Sequence, residues 1–170
     1  MRRVGRTRAW WRRLLAALAP ASPDIEERLA GHYAAEERLA HGLGPDAEAL
    51  TGSAHARSRI LGVAERARGR AQRVRRALEG LGHPTIVPAT RRGPREPRAW
   101  ARLHAGISEL SRMSEECLGD AQAVERTHPS IARLLYDLHR ETAGDRRDLI
   151  WTLAQLAGTE TKTSLPEVVA

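Results

Sequence analysis

The chain has 170 residues, 41% of them hydrophobic, with no Phe and 4% aromatic residues, so it is long enough for one domain with a real core and too apolar for a disordered composition. A single cysteine, Cys117, excludes an internal disulfide and a cysteine-based zinc site, and no apolar run reaches the roughly 18–20 residues needed to cross a bilayer. The net charge of +7 is confined almost wholly to the first 22 residues, where Arg2, Arg3, Arg6, Arg8, Arg12 and Arg13 stand without an acid, which leaves a nearly neutral body.

In that head, Trp10, Trp11, Leu14, Leu15 and Leu18 share one broad helical face beside Arg8, Arg12 and Arg13. Pro20 and Pro23 separate the head from the body of the chain. The pattern fits four things: an amphipathic helix on an anionic membrane surface, an arginine tail on nucleic-acid phosphates, a poor export signal, or a disordered or loosely docked terminal extension.

Abundant Ala, Leu and Arg favour helices over strands in the body. Ser22, Pro23 and Asp24 make a helix start, with a capping hydroxyl, Pro at the first position and acids in the first turn. The first long helix is predicted over about 24–41, with a stripe of Ile25, Leu29, Leu39 and Leu43. His32 and Glu36 occupy the two middle places of that stripe. Gly42, Gly44, Pro45 and Asp46 are expected to close it. A second helix is predicted over about 53–81, with Ile60, Ala64, Ala67, Ala71, Val74, Leu78 and Leu81 on its buried face. Eight arginines and one acid, Glu65, lie between Arg57 and Arg76. They fit a solvated outer face, or a contact surface for an acidic partner or phosphates.

Residues 82–97 hold four prolines and two glycines and cannot lie inside a helix. Sixteen extended residues can span about 50 Å, enough to run the length of a helix of about 42 Å. Two further helices are expected beyond it. One is predicted over about 98–125, with Trp100, Leu103, Ile107, Leu110, Cys117, Ala121 and Val124 on its stripe. The other is predicted over about 130–157, with Ile131, Leu134, Leu135, Leu138, Leu149, Leu153 and Leu156, stopping at Gly158. Glu141, Thr142 and Asp145 give this last helix a polar middle. Residues 159–170 are expected to form a flexible tail.

Two long helix pairs joined by one long connection resemble the ferritin-like superfamily. Arg73–Pro84 (RVRRALEGLGHP) is similar to the end of the second helix in Dps-type and bacterioferritin-like proteins. Leu149, Ile150, Trp151 and Leu153 resemble the last helix of Dps-type proteins. The resemblance covers roughly residues 24–157. It implies an all-α four-helix bundle with a long crossover between the second and third helices. It also implies a di-metal site built from one Glu on each of two helices and Glu-x-x-His on each of the other two. The ligand pattern is incomplete here: the corresponding places read Glu65-x-x-Arg68 and Glu141-x-x-Gly144. The one intact Glu-x-x-His, Glu125 to His128, lies at a helix end before Pro129.

The remaining candidate ligands are His32 and Glu36 on the first helix and Glu141 and Asp145 on the last, each pair spaced i, i+4. Imidazole and carboxylate suit iron, manganese or zinc. The alternative is a buried hydrogen-bonded network that includes Arg68 or Arg112, since buried charges need partners. Cys117 lies on an apolar stripe and reads as an inert core thiol. The expected function is a non-catalytic bundle with a degenerate metal site, acting by binding or assembly, with self-assembly as one form of it. The alternatives are an iron- or manganese-binding oxidase or storage protein, and a DNA- or membrane-surface binder through Arg2, Arg3, Arg6, Arg8, Trp10, Trp11, Arg12 and Arg13. The expected location is cytoplasmic or membrane-peripheral.

Overall fold

The computed structural model describes residues 23–50, 53–82 and 99–163, and among them every regular element is an α-helix. The helices are α1 (Pro23–Glu48), α2 (Ala54–Gly80), α3 (Ala99–Val124) and α4 (Pro129–Thr163). The head, residues 1–22, the segment 83–98 and the last residues, 164–170, lie outside the described residues.

Local signals explain most of the ends. Asp24 and Glu26 sit in the first turn of α1, where the helix dipole favours acids. Ser53 caps α2 by accepting from the Ala56 N–H at 3.2 Å. Gly82 follows α2 with φ 88°, a conformation that costs glycine nothing. Pro129 opens α4 at the first helical position, where its missing N–H is not needed.

Two ends differ from expectation. The helix α1 does not close at Gly42–Asp46 but continues through Pro45 to Glu48. Leu43, Asp46 and Ala47 are all buried there, so tertiary contacts outweigh the hydrogen bond that Pro45 cannot make. The helix α4 runs past Gly158 to Thr163, because a glycine lowers helix stability by only about 1 kcal/mol and does not by itself end a helix.

The pairs α1–α2 and α3–α4 pack as hairpins, α1 lies beside α3, and α2 lies beside α4. Side-chain pairs give the directions. Along α1, Arg28, Arg38 and Asp46 meet Asp120, Glu109 and Arg102 of α3 in falling order, so the two run antiparallel. Along α2, Arg66 and Arg73 meet Asp148 and Glu141 of α4, again antiparallel. The helices α2 and α3 are therefore parallel and diagonal. Gly82 and Ala99 stand at opposite ends of the bundle.

The core falls into two apolar clusters. One holds Leu39, Leu43, Ile60, Val63, Leu103, Leu110, Met113 and Leu149, at the end where α1 finishes. The other holds Ile25, Leu29, Val74, Leu78, Val124, Ile131, Leu135 and Leu138, at the end where α1 begins. Polar side chains lie between them.

Candidate functional site

The polar layer is built on the same stripes as the core. Glu36 follows Leu29 by seven residues and Asp145 precedes Leu149 by four, so the helical period that buries the leucines also buries the two carboxylates. Arg70 joins them. It lies in the heptad series Val63, Ala67, Arg70, Val74 on α2, and its relative exposure is 0%. Its Nε donates to Glu36 Oε1 at 2.7 Å and its Nη1 to Asp145 Oδ2 at 2.5 Å. Arg66 adds a second cation at the edge, with Nε donating to Asp145 Oδ1 at 2.6 Å and Nη2 to Asp148 Oδ2 at 2.8 Å. Glu36 Oε2, Arg70 Nη2 and Thr142 Oγ1 are buried in this layer without a hydrogen-bond partner.

Burial lifts the Glu36 carboxyl above its ordinary value, and this outweighs the opposing pull of Arg70. For Arg70, burial acts against the charged form, but Glu36 and Asp145 together outweigh it and raise the guanidinium further. Arg70 is a permanent cation at any pH the fold meets.

On the other side of the layer, His32 Nε2 lies 2.8 Å from Asp120 Oδ2 and Nδ1 lies 3.5 Å from Cys117 Sγ. A carboxylate only accepts, so Nε2–H donates to Asp120, and in the neutral ring Nδ1 accepts from the thiol. Arg28 holds the other Asp120 oxygen. The series cysteine, imidazole, carboxylate has the order of a nucleophile and its helpers. Burial, followed by the charges of Glu36 and Asp120, pushes the Cys117 thiol up to about 12, so it is not a thiolate at neutral pH. This agrees with an inert core thiol.

The structure brings together two of the four expected metal ligands. Glu36 and Asp145 meet, but through Arg70. His32 turns to Asp120 and Cys117. Glu141 faces outward and pairs with Arg73 at 2.9 Å. The guanidinium fills the space between the carboxylates that a metal ion would need, so the residues present do not fit a metal centre. Among the described residues no group of three or more His, Cys, Asp or Glu is arranged to hold a metal ion. The arginines expected as network partners are elsewhere: Arg68 pairs with Glu65 at 2.8 Å, and Arg112 with Glu109 at 2.6 Å and Glu116 at 2.5 Å, all at the surface. Arg70 and Asp120 were legible only as spacing, Arg70 within the heptad series of α2 and Asp120 three residues after Cys117.

The arginine run on α2 is largely matched by groups of this chain. Arg57 caps the Leu50 carbonyl at 3.1 Å, Arg66 and Arg70 reach α4 acids, and Arg73 holds Glu141. Arg75 takes Glu79 at 2.9 Å. Arg59 stacks 3.9 Å over the Trp151 ring. The binding residues expected in the head, Arg2 to Arg13 with Trp10 and Trp11, lie outside the described residues.

Comparison with protein-family models, curated proteins and solved structures gives no match to this chain.

Proposed function

We propose that this chain is a ferritin-like bundle in which an arginine takes the place of the central metal, and that it acts by binding or assembly rather than by catalysis. The observation that carries the reading is Arg70, fully buried between carboxylates of α1 and α4. Two buried carboxylates need a positive partner. A metal ion supplies one in a di-metal bundle; here the chain supplies its own. The up–down–down–up helix order, with α2 and α3 parallel, supports the ferritin-like comparison. For assembly, the support is the placement of Leu61, Trp100, Ile150 and Trp151, the exposed large hydrophobics among the described residues. All four lie towards the end of the bundle where α1 finishes.

Metal content decides the matter. The full chain, purified from cells grown with added iron or manganese, should hold less than stoichiometric metal by mass spectrometry and should not speed Fe(II) oxidation. Stoichiometric iron that disappears in Glu36→Gln or Asp145→Asn would establish the metal-binding oxidase or storage reading instead.

A second reading is favoured by the pairing on α2. Since most of those arginines are held within the bundle, the surplus positive charge sits in residues 1–22, where DNA or an anionic membrane would meet it. Deleting residues 1–22 should abolish retention on DNA and on anionic vesicles. Steep salt dependence would assign the contact to phosphates, and salt-resistant vesicle binding would assign it to the Trp10 and Trp11 face. Equal binding by the shortened chain would remove the head from consideration.

A further inference from the structure

A groove of about 410 Å³ runs along the outside of the α1–α3 seam. Its floor is apolar, with Leu39 and Leu43 of α1 below and Ala105 of α3 on the far wall. It exists because glycines face it. A Cβ on Gly42 would meet nothing within 4 Å, and one on Gly106 would only touch Leu43 and Leu149 at 3.6 and 3.9 Å. From Arg38 to Asp46 the α1 wall is about 12 Å long at 1.5 Å per residue.

The two ends of the groove differ electrically. At one end Asp46 and Arg102 satisfy each other in a largely buried ion pair. At the other end two arginines, Arg38 and Arg112, share one groove acid, Glu109. Glu109 is already taken by Arg112, whose hydrogen bond holds its carboxyl below the ordinary value. Arg38 reaches Glu109 only at 3.7 Å and is half exposed. It carries a charge with room for a better partner.

We infer that this groove is a binding site for an amphiphilic monoanion, an apolar chain or ring ending in a carboxylate, with the apolar body on Leu39, Gly42 and Leu43 and the carboxylate on Arg38. The body replaces water over the glycine floor. The carboxylate gives the guanidinium a charge-assisted, two-armed partner in place of a long contact. Both parts are required: a bare anion would have to compete with Glu109, and a neutral chain would leave Arg38 as it is. The site is on a different face from the Arg70 network and does not depend on the function proposed above.

Calorimetry on the full chain tests it with three probes: decanoate below its micelle concentration, decanol and acetate. Decanoate should bind at one site, decanol about tenfold or more weakly, as loss of a charge-assisted bond implies, and acetate not measurably. Gly42→Leu places a side chain in open space within the groove. It should weaken decanoate at least tenfold while leaving the melting temperature unchanged or raised. Arg38→Gln should erase the preference for decanoate over decanol. Absence of decanoate binding would overturn the inference. So would decanoate binding that both variants leave unchanged, because the site would then lie elsewhere.

Discussion

Arg70 holds a full charge in a buried layer between two apolar clusters, and its worth is set by its partners. Removing one member of a buried ion network costs about 3–5 kcal/mol because the rest is left uncompensated. Arg70→Met leaves Glu36 and Asp145 facing each other, so urea denaturation at neutral pH should show a loss of that size. Glu36→Gln should cost less, since Arg70 keeps Asp145. The two variants also differ in their response to pH. Burial raises Glu36 in the folded chain. Such a carboxyl favours the fold fully below its unfolded value of about 4.3, and that contribution is lost as pH rises through the folded value. Glutamine has no such loss. The stability of Glu36→Gln relative to the parent chain should therefore improve from about pH 4 towards neutrality. A difference that stays constant with pH would show that Glu36 is not the group whose burial is felt. Arg70→Met should behave in the opposite sense and recover as acid protonates its stranded carboxylates.

At the scale of the helix, α1 contains a residue that should have ended it. Pro45 lacks the N–H that would bond to the preceding turn, yet Asp46 and Ala47 beyond it are buried and Asp46 holds Arg102. Pro45→Ala should restore that bond and raise stability by about 1–3 kcal/mol, allowing for the stiffer unfolded chain that proline provides. An unchanged or lower melting temperature would mean that the helix is shaped around the proline. The same element shows how far a sequence can be read. The stripe Ile25, Leu29, His32, Glu36, Leu39 places its residues inward because period alone decides it, and all five are buried. The end of α1 was not legible, since Gly42 and Pro45 are local breakers and the contacts that override them are distant in the chain. Arg70 was hidden for a related reason. Among eight arginines its neighbours suggest a solvated face, and only the heptad spacing to Val63 and Val74 distinguishes it. Glu141 misses the inward position by one residue, about 100° of helical phase, with Thr142 taking the inward place beside Asp145.

The whole molecule is two hairpins locked together by charge. Arg66, Arg70 and Arg73 of α2 face Asp148, Asp145 and Glu141 of α4, while the leucines of both halves interdigitate above and below. Shifting one hairpin by a turn would part Arg70 from Asp145 and set it against Leu149 in one direction or Thr142 in the other, neither of which carries a charge, so the polar layer fixes the register of the packing. Trp151, 42% exposed and stacked under Arg59, is with Trp100 one of two tryptophans left exposed among the described residues. If the chain self-associates through that end, Trp151→Ser with Ile150→Ser should lower the sedimentation coefficient without lowering the melting temperature. An unaltered sedimentation profile for an oligomeric parent would move the contact to another face. Because α1 and α4 run in the same direction, Pro23 and Thr163 stand at opposite poles. Pro23, where the head joins, lies about 25 Å along the axis from Ile150 and Trp151 at 1.5 Å per residue. The molecule is thus a short rod with a bearing. A partner held at the Pro23 pole and one seated on the tryptophan pole would therefore stand on opposite sides of the bundle and would not compete for the same surface.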